Sequence, residues 1–430
     1  MKLRVEKSSL QGSVSIPGSK SHTIRALILA TLADGESRIR KPLDSLDTMA
    51  CLQACRQLGA RINTSDPDCW TVNGVAGYPA VPDNVIDVGN SGTTLYVIMG
   101  TAVLCSEGHV VITGDEQIRR RPAGRLVSAL NELGARVFST RGNGKCPLVL
   151  KGPLKGGNTS IEAITSQWVT SILMCAPLAA QDTEMRVPLV NEAPYIRMTL
   201  DWLESLEVRL EYCDNFSWFR IPAGQGWKGF DRPIPADFSS ATFFLVAGAI
   251  LGGDIELHGL DMQDSQGDKE VVEYLKKMGA QIEINEEART IRVYKSELKG
   301  CELDLNRTPD ALPAMAVAAA LADGETRLVN VANARLKETD RISVMTAELG
   351  KMGVQITEQE DGLIIAGGGL QAASDLNGHG DHRVVMALAL ATMAASGESR
   401  ISTAEAMAVT FPEYEKLMRQ LGGNMELIEE

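Results

Sequence analysis

Six times along the chain a short polar or glycine-containing cluster runs straight into a long apolar stretch. The pairs are PGSKS before HTIRALILATLA, GNSGTT before LYVIMGTAVL, TSQ before WVTSILMCAPLA, DFSS before ATFFLVAGAI, TPD before ALPAMAVAAALA, and GDH before RVVMALALATMAA. The stretches are too short to span a membrane, so the pattern predicts six helices buried inside a globular core. A helix N-terminus carries unpaired N–H groups and a partial positive charge, which together hold anions. Six such mouths predict a protein that grips phosphates and carboxylates.

Between the apolar helices the pattern repeats. A strand follows, then a charged helix with a glycine stop, then another strand. The stops align as Leu58-Gly59-Ala60-Arg61-Ile62, Leu133-Gly134-Ala135-Arg136-Val137, Met278-Gly279-Ala280-Gln281-Ile282, Met352-Gly353-Val354-Gln355-Ile356 and Leu421-Gly422-Gly423-Asn424-Met425. A degenerate copy, Leu206-Glu207-Val208-Arg209-Leu210, fills the gap. A period of roughly 70–75 residues is too long for a solenoid unit and reads as a small folding module. Glycine at the stop accepts the left-handed backbone that ends a helix. Six βαβαββ modules divide into two sets of three, with the break near Pro233-Ile234-Pro235. The residues before Pro17 supply strands with alternating polarity and no helix, which predicts that they join the C-terminal set. The expected domains are therefore 18–235, and a discontinuous 1–17 plus 236–430, with the helix mouths facing a shared cleft.

Composition narrows the classes. The chain has 430 residues, 44% apolar and 23% charged, which is ordinary for a globular protein with a large core. A net charge of −13 argues against a general nucleic-acid or membrane-surface binder, so an anionic ligand needs a local basic cluster. The eight cysteines contain no Cys-x-x-Cys pair and the histidines are scattered, so no zinc motif is present. Cys51 and Cys55, one helical turn apart, read as half-buried thiols. Dispersed cysteines and the lack of a signal-peptide pattern point to the cytoplasm. A monomer is the default expectation.

Several clusters carry candidate chemistry. Ser21 and Arg25 share a face of the first helix, with Lys20 just ahead of them. An ammonium, a hydroxyl, a guanidinium and free N–H groups can hold two anionic groups; a capped helix with solvated basic residues reads the same way. Gly89 and Gly92 would bring backbone N–H groups close to a ligand, or make a plain tight turn. Arg119-Arg120-Arg121 precede Pro122, read as the first residue of a helix, and form either an anion clamp or a solvated loop. In Leu336-Lys337-Glu338-Thr339-Asp340-Arg341, taken as helical, Lys337 and Arg341 share a face. Glu338 is either a proton-transfer carboxylate tuned by two cations or part of a salt-bridged surface helix. Asp310 and Asp237 stand at the fifth and fourth helix mouths, and Asp237 reads as a plain cap. Asp381 caps the sixth helix, and Arg383 brings a charge into a buried helix that must find a partner.

Taken in order, PGSKSHTIR, GNSGTT, GDEQIRRRP, TSQ, TPDA, NARLKETDR, GDHR and TFPEY resemble the 5-enolpyruvylshikimate-3-phosphate synthase family over essentially the whole chain. The resemblance implies an α/β fold of two similar domains, each of three βαβαββ modules around buried apolar helices (an inside-out α/β barrel). It implies transfer of the enolpyruvyl group of phosphoenolpyruvate to the 5-hydroxyl of shikimate 3-phosphate, with phosphate released. No metal or organic cofactor is implied, and the partners are these two small molecules. By motif position Lys20, Gly92, Arg121, Gln167, Arg341 and Arg383 would bind phosphoenolpyruvate. Ser21, Arg25, Thr165, Ser166, Gln167, Tyr195, Asp310, Asn333 and Lys337 would bind the shikimate side. Asp310 would take the hydroxyl proton, Glu338 would handle the proton at the methylene carbon, and Lys20 would assist the leaving phosphate. The ligand groups come from both halves, which implies closure on substrate.

The chain departs from the family pattern at three places. Glu192, in Asn191-Glu192-Ala193-Pro194-Tyr195, stands where many members have Ser. Tyr96 stands where many have Arg, and Val409 where several have Lys. Glu192 raises the alternative of a shikimate-type acceptor without the 3-phosphate. A UDP-N-acetylglucosamine enolpyruvyl transferase is disfavoured because residues 114–120 contain no Cys. A non-catalytic anion binder is disfavoured because Lys20, Asp310, Glu338 and Arg341 occur together.

Overall fold

The computed structural model describes residues 1–429 and divides into two compact units, Gly18–Ile234 and Met1–Pro17 with Pro235–Glu430. Each has its own hydrophobic core.

Within Gly18–Ile234 the apolar helices Lys20–Leu32, Gly92–Ala102 and Ser166–Cys175 form the centre, the middle one packing against both others. In the other unit Phe238–Leu251, Leu312–Ala320 and His382–Ala394 pack pairwise. These helices are buried on nearly every face, as their sequences require. Around them lie six four-stranded mixed sheets among the described residues. The sheet of the first module shows the common plan: Glu36–Arg40 pairs parallel with Asp231–Pro233 and antiparallel with Cys69–Asn73, which pairs antiparallel with Arg61–Asn63. The N-terminal strand Lys2–Glu6 lies between Glu398–Ser402 and Met425–Ile428, and Gly12–Ser15 runs parallel to Asp254–His258.

Local details correct three expectations. Pro122 does not open a helix: Ile118–Arg120 is a 3-10 turn, and the next helix, Gly124–Glu132, starts two residues later. The segment 336–341 is not one helix, because Ala332–Leu336 is a 3-10 turn and Arg341–Lys351 begins after the cap Asp340. Asp310 lies at the mouth of the fifth apolar helix, in the 3-10 turn Pro309–Ala311 that leads into it. Cys51 and Cys55 are fully buried. At the degenerate stop Glu207 itself takes φ 62°, the conformation glycine supplies at the others, and the strand begins only at Glu211.

Close approach of central helices explains Gly100. Its N–H donates to Ser171 Oγ at 3.1 Å, and a Cβ there would overlap the Ser171 carbonyl oxygen on the neighbouring helix. Gly100→Ala is therefore expected to destabilise the Gly18–Ile234 unit by about 2 kcal/mol through overpacking, read as an earlier first transition in urea.

Candidate active site

The predicted residues fall into two groups, one in each unit. In Gly18–Ile234 they gather at the mouths of the three central helices. Lys20 is the first residue of its helix, and its Nζ lies 3.2 Å from the buried Asp47 carboxylate. The cap of that helix, Ser19, makes no side-chain capping bond, whereas Ser91 and Thr165 do at the next two mouths. Arg25 is fully enclosed. Its Nε donates to Thr199 Oγ1 (2.9 Å), and its terminal nitrogens donate to the Ser21 carbonyl (3.0 Å) and the Tyr195 carbonyl (3.0 Å). Burial pulls the guanidinium down to about 10, against an opposing attraction to Tyr195. A cation desolvated among neutral oxygens is well suited to receive a ligand carboxylate.

At the second mouth Arg121 is buried with its guanidinium laid over Gly92, where a Cβ would overlap it. Only glycine leaves that seat open. Tyr96 donates its hydroxyl to the Pro122 carbonyl (2.8 Å) and so holds the backbone next to Arg121. Burial pushes its phenol up to about 12. At the third mouth Gln167 Nε2 donates to Thr93 Oγ1 (2.9 Å), tying this helix to the second. Glu192 Oε2 accepts from Thr165 Oγ1, Ser166 N and Ser166 Oγ.

In the other unit Arg341 organises the group. It is fully buried and donates to Asp381 (Nε, 2.8 Å), to Asp310 (2.7 Å) and to Glu338. Burial alone would lower its pKa, but the three carboxylates, Asp381 foremost, raise it above the ordinary arginine value. Asp310 is also approached by Arg383 (3.3 Å) and Lys337 (3.6 Å). Arg383 donates to Ser239 Oγ at the mouth of Phe238–Leu251 (2.6 Å). Asn333 is buried in the 3-10 turn Ala332–Leu336, just ahead of Lys337 and Glu338. Glu338 thus reaches Arg341 from the bend 337–339, not from a shared helical face. Asp237 caps its own helix through Ser240 N (3.0 Å). Val409 is buried at the end of a 3-10 turn beside Phe411.

Two residues were not selected for function from sequence: Asp47 and Asp381. Asp47 is signalled only by the Ser45-x-x-Thr48 capping pattern that starts its helix. Asp381 reads from sequence as a cap, and it does accept from Arg383 N (2.9 Å), but it also neutralises Arg341.

The EPSP synthase (3-phosphoshikimate 1-carboxyvinyltransferase) family profile matches residues 5–418. The chain belongs to the EPSP synthase family. It is 51% identical over 429 residues to a 3-phosphoshikimate 1-carboxyvinyltransferase of Acetivibrio thermocellus, covering 100% of both chains. It is 50% identical over 428 residues to that of Ruminiclostridium cellulolyticum, again covering 100% of both. An EPSP synthase structure from Acinetobacter baumannii superposes with a TM-score of 0.83 at 29% identity over 100% of both chains. The enolpyruvyl transferase NikO from Streptomyces tendae shares the fold alone, with a TM-score of 0.80 at 17% identity over 99% of this chain and 98% of that one. Among the described residues no helix is long and apolar enough to cross a membrane, and no His/Cys/Asp/Glu group could hold a metal ion. The eight cysteines are free thiols. Burial pushes Cys105 up to about 11, and Cys146 and Cys175 up to about 12, which leaves little thiolate at neutral pH.

Asp381 links the site to stability. Burial pushes its carboxyl up, but attraction to Arg341 leads the opposing effects and leaves it below the ordinary value. A depressed folded pKa adds stability that is present above about pH 4 and is lost as the pH falls through the folded value. Asp381→Asn is expected to cost about 3 kcal/mol at pH 7, as for breaking a buried pair. Its stability should also fall less than that of wild type as the pH drops below about 4. Urea unfolding at several pH values measures both.

Proposed function

We propose that this protein transfers the enolpyruvyl group of phosphoenolpyruvate to the 5-hydroxyl of shikimate 3-phosphate, in the shikimate pathway towards chorismate and the aromatic amino acids. It would act in the cytoplasm as a monomer and without a cofactor. Support comes from the full-length relatives bearing that activity in their names and, above all, from the Asp310–Arg341–Glu338 cluster. Two carboxylates held by one buried cation suit a reaction that moves two protons.

In this reading the methylene carbon of phosphoenolpyruvate gains a proton and the 5-hydroxyl oxygen bonds to C2, losing its proton to Asp310. The tetrahedral intermediate then loses a methyl proton as the C2–O bond to phosphate breaks. Glu338 gives and retrieves the methyl proton. Lys20, positioned by Asp47, neutralises the departing phosphate. Arg121, Gly92, Gln167, Arg341 and Arg383 bind phosphoenolpyruvate. Ser21, Arg25, Thr165, Ser166, Gln167, Tyr195, Asn333 and Lys337 orient the acceptor, with Arg25 on its carboxylate.

The deciding assay is phosphate release from phosphoenolpyruvate, with shikimate 3-phosphate and shikimate as parallel acceptors. Release should be far more efficient, as kcat/KM, with the phosphorylated acceptor than with shikimate. Asp310→Asn and Glu338→Gln should each lower kcat by roughly 10²–10⁴. Failure to release phosphate with shikimate 3-phosphate, or variants with undiminished kcat, would sink this assignment.

A further inference from the structure

Glu192 is buried and immediately precedes the Ala193–Ser205 helix, at φ 54° and ψ 38°. A left-handed backbone is uncommon for a residue with a Cβ and marks a position fixed by its surroundings. Here the Asn191 N–H donates to the Ala163 carbonyl (3.2 Å), Ala163 bridges Val190, and the Tyr195 N–H closes the next turn on the Glu192 carbonyl (3.0 Å). The pinned backbone turns the side chain back to the mouth of Ser166–Cys175. There one oxygen, Oε2, accepts from the Ser166 N–H (2.9 Å), the Ser166 hydroxyl (2.8 Å) and the Thr165 hydroxyl (3.1 Å).

Those donors come from two of the residues assigned above to the acceptor, and they are the kind a phosphate takes. The donors cannot serve both anions at once, and a carboxylate held beside a phosphate repels it. Without any anion the buried Ser166 N–H and hydroxyl would lack an acceptor, which is costly. Glu192 therefore supplies internally what the ligand would otherwise supply.

We propose that Glu192 is a built-in placeholder for the 3-phosphate of the acceptor and sets discrimination between phosphorylated and unphosphorylated acceptors. Its carboxylate fills the seat in the unliganded protein and rotates out when the phosphate enters, while the pinned backbone stays. Part of the binding energy of shikimate 3-phosphate is spent on this displacement. Shikimate, which brings no phosphate, leaves Glu192 in place. This inference rests on the reaction proposed above.

Two variants test it. Glu192→Gln keeps the shape and removes the charge, whereas Glu192→Gly relieves the left-handed backbone and empties the seat. In both, KM for shikimate 3-phosphate should fall about tenfold. The ratio of kcat/KM for shikimate 3-phosphate over shikimate should rise by a similar factor. A residue that merely holds the fold would change thermal stability and leave that ratio alone. Wild-type turnover with an unchanged or lowered ratio in both variants overturns the placeholder and leaves the reaction standing. Absence of wild-type turnover with shikimate 3-phosphate overturns the reaction, and the placeholder with it.

Discussion

A helix that is apolar on every face can exist only inside a core, and that constraint governs this protein. Six such helices leave their sides little room for charge, the enclosed Arg25 being the exception. Polar chemistry is forced to their ends, where the backbone itself demands partners. Lys20, Ser21, Gly92, Thr165, Ser166 and Arg383 all lie at these ends, and Arg341 is bound to the cap of one of them. The same rule lets a chain of net charge −13 present anion-binding surfaces, since helix mouths and a few enclosed guanidinium groups act locally against the mean.

Much of this was written in the pattern. The apolar runs located the helices because no other element buries ten or more consecutive apolar residues in a soluble core. The glycine stops located the following strands because a left-handed residue ends a helix abruptly. The site was legible where a residue type admits few roles, as with Lys20 or Arg341. It was illegible where the role depends on a neighbour distant in sequence. Asp381 is a sufficient cap by local reading, and only the fold places it against Arg341, forty residues earlier. Asp47 looks like a first-turn acid until Lys20 is found beside it. The helical reading of 336–341 failed because sequence spacing alone gave no sign that Asp340 caps a new helix through Ser343 N. Glu338 meets Arg341 nonetheless, from the bend ahead of that cap.

The departures from the family pattern also become physical statements. Tyr96, where a charge is common, instead anchors the Pro122 carbonyl next to Arg121, so the position still governs a cation without carrying one. Val409 is buried at the end of its 3-10 turn and brings no charge to this position. Glu192 is enclosed with its charge answered by hydroxyl and N–H donors at a helix mouth.

The two buried arginines show how the units divide the electrostatic work. Arg25 faces neutral oxygens, and burial draws its pKa down to about 10. A cation held in that way would gain from an anionic partner. Arg341 is the reverse case, already surrounded by Asp381, Asp310 and Glu338 and held firmly charged. It offers little net attraction to a ligand while all three carboxylates are ionised. If one of these carboxylates takes up a proton while the others stay ionised, the balance at Arg341 shifts by a full charge in a medium where screening is weak. A net proton gained by the cluster strengthens its hold on an anion, and a net proton lost weakens it, whereas a proton given by one carboxylate as the other takes one leaves the balance unchanged. A surface arginine, screened by water, would feel the same proton far less, which gives its burial a chemical purpose beyond packing.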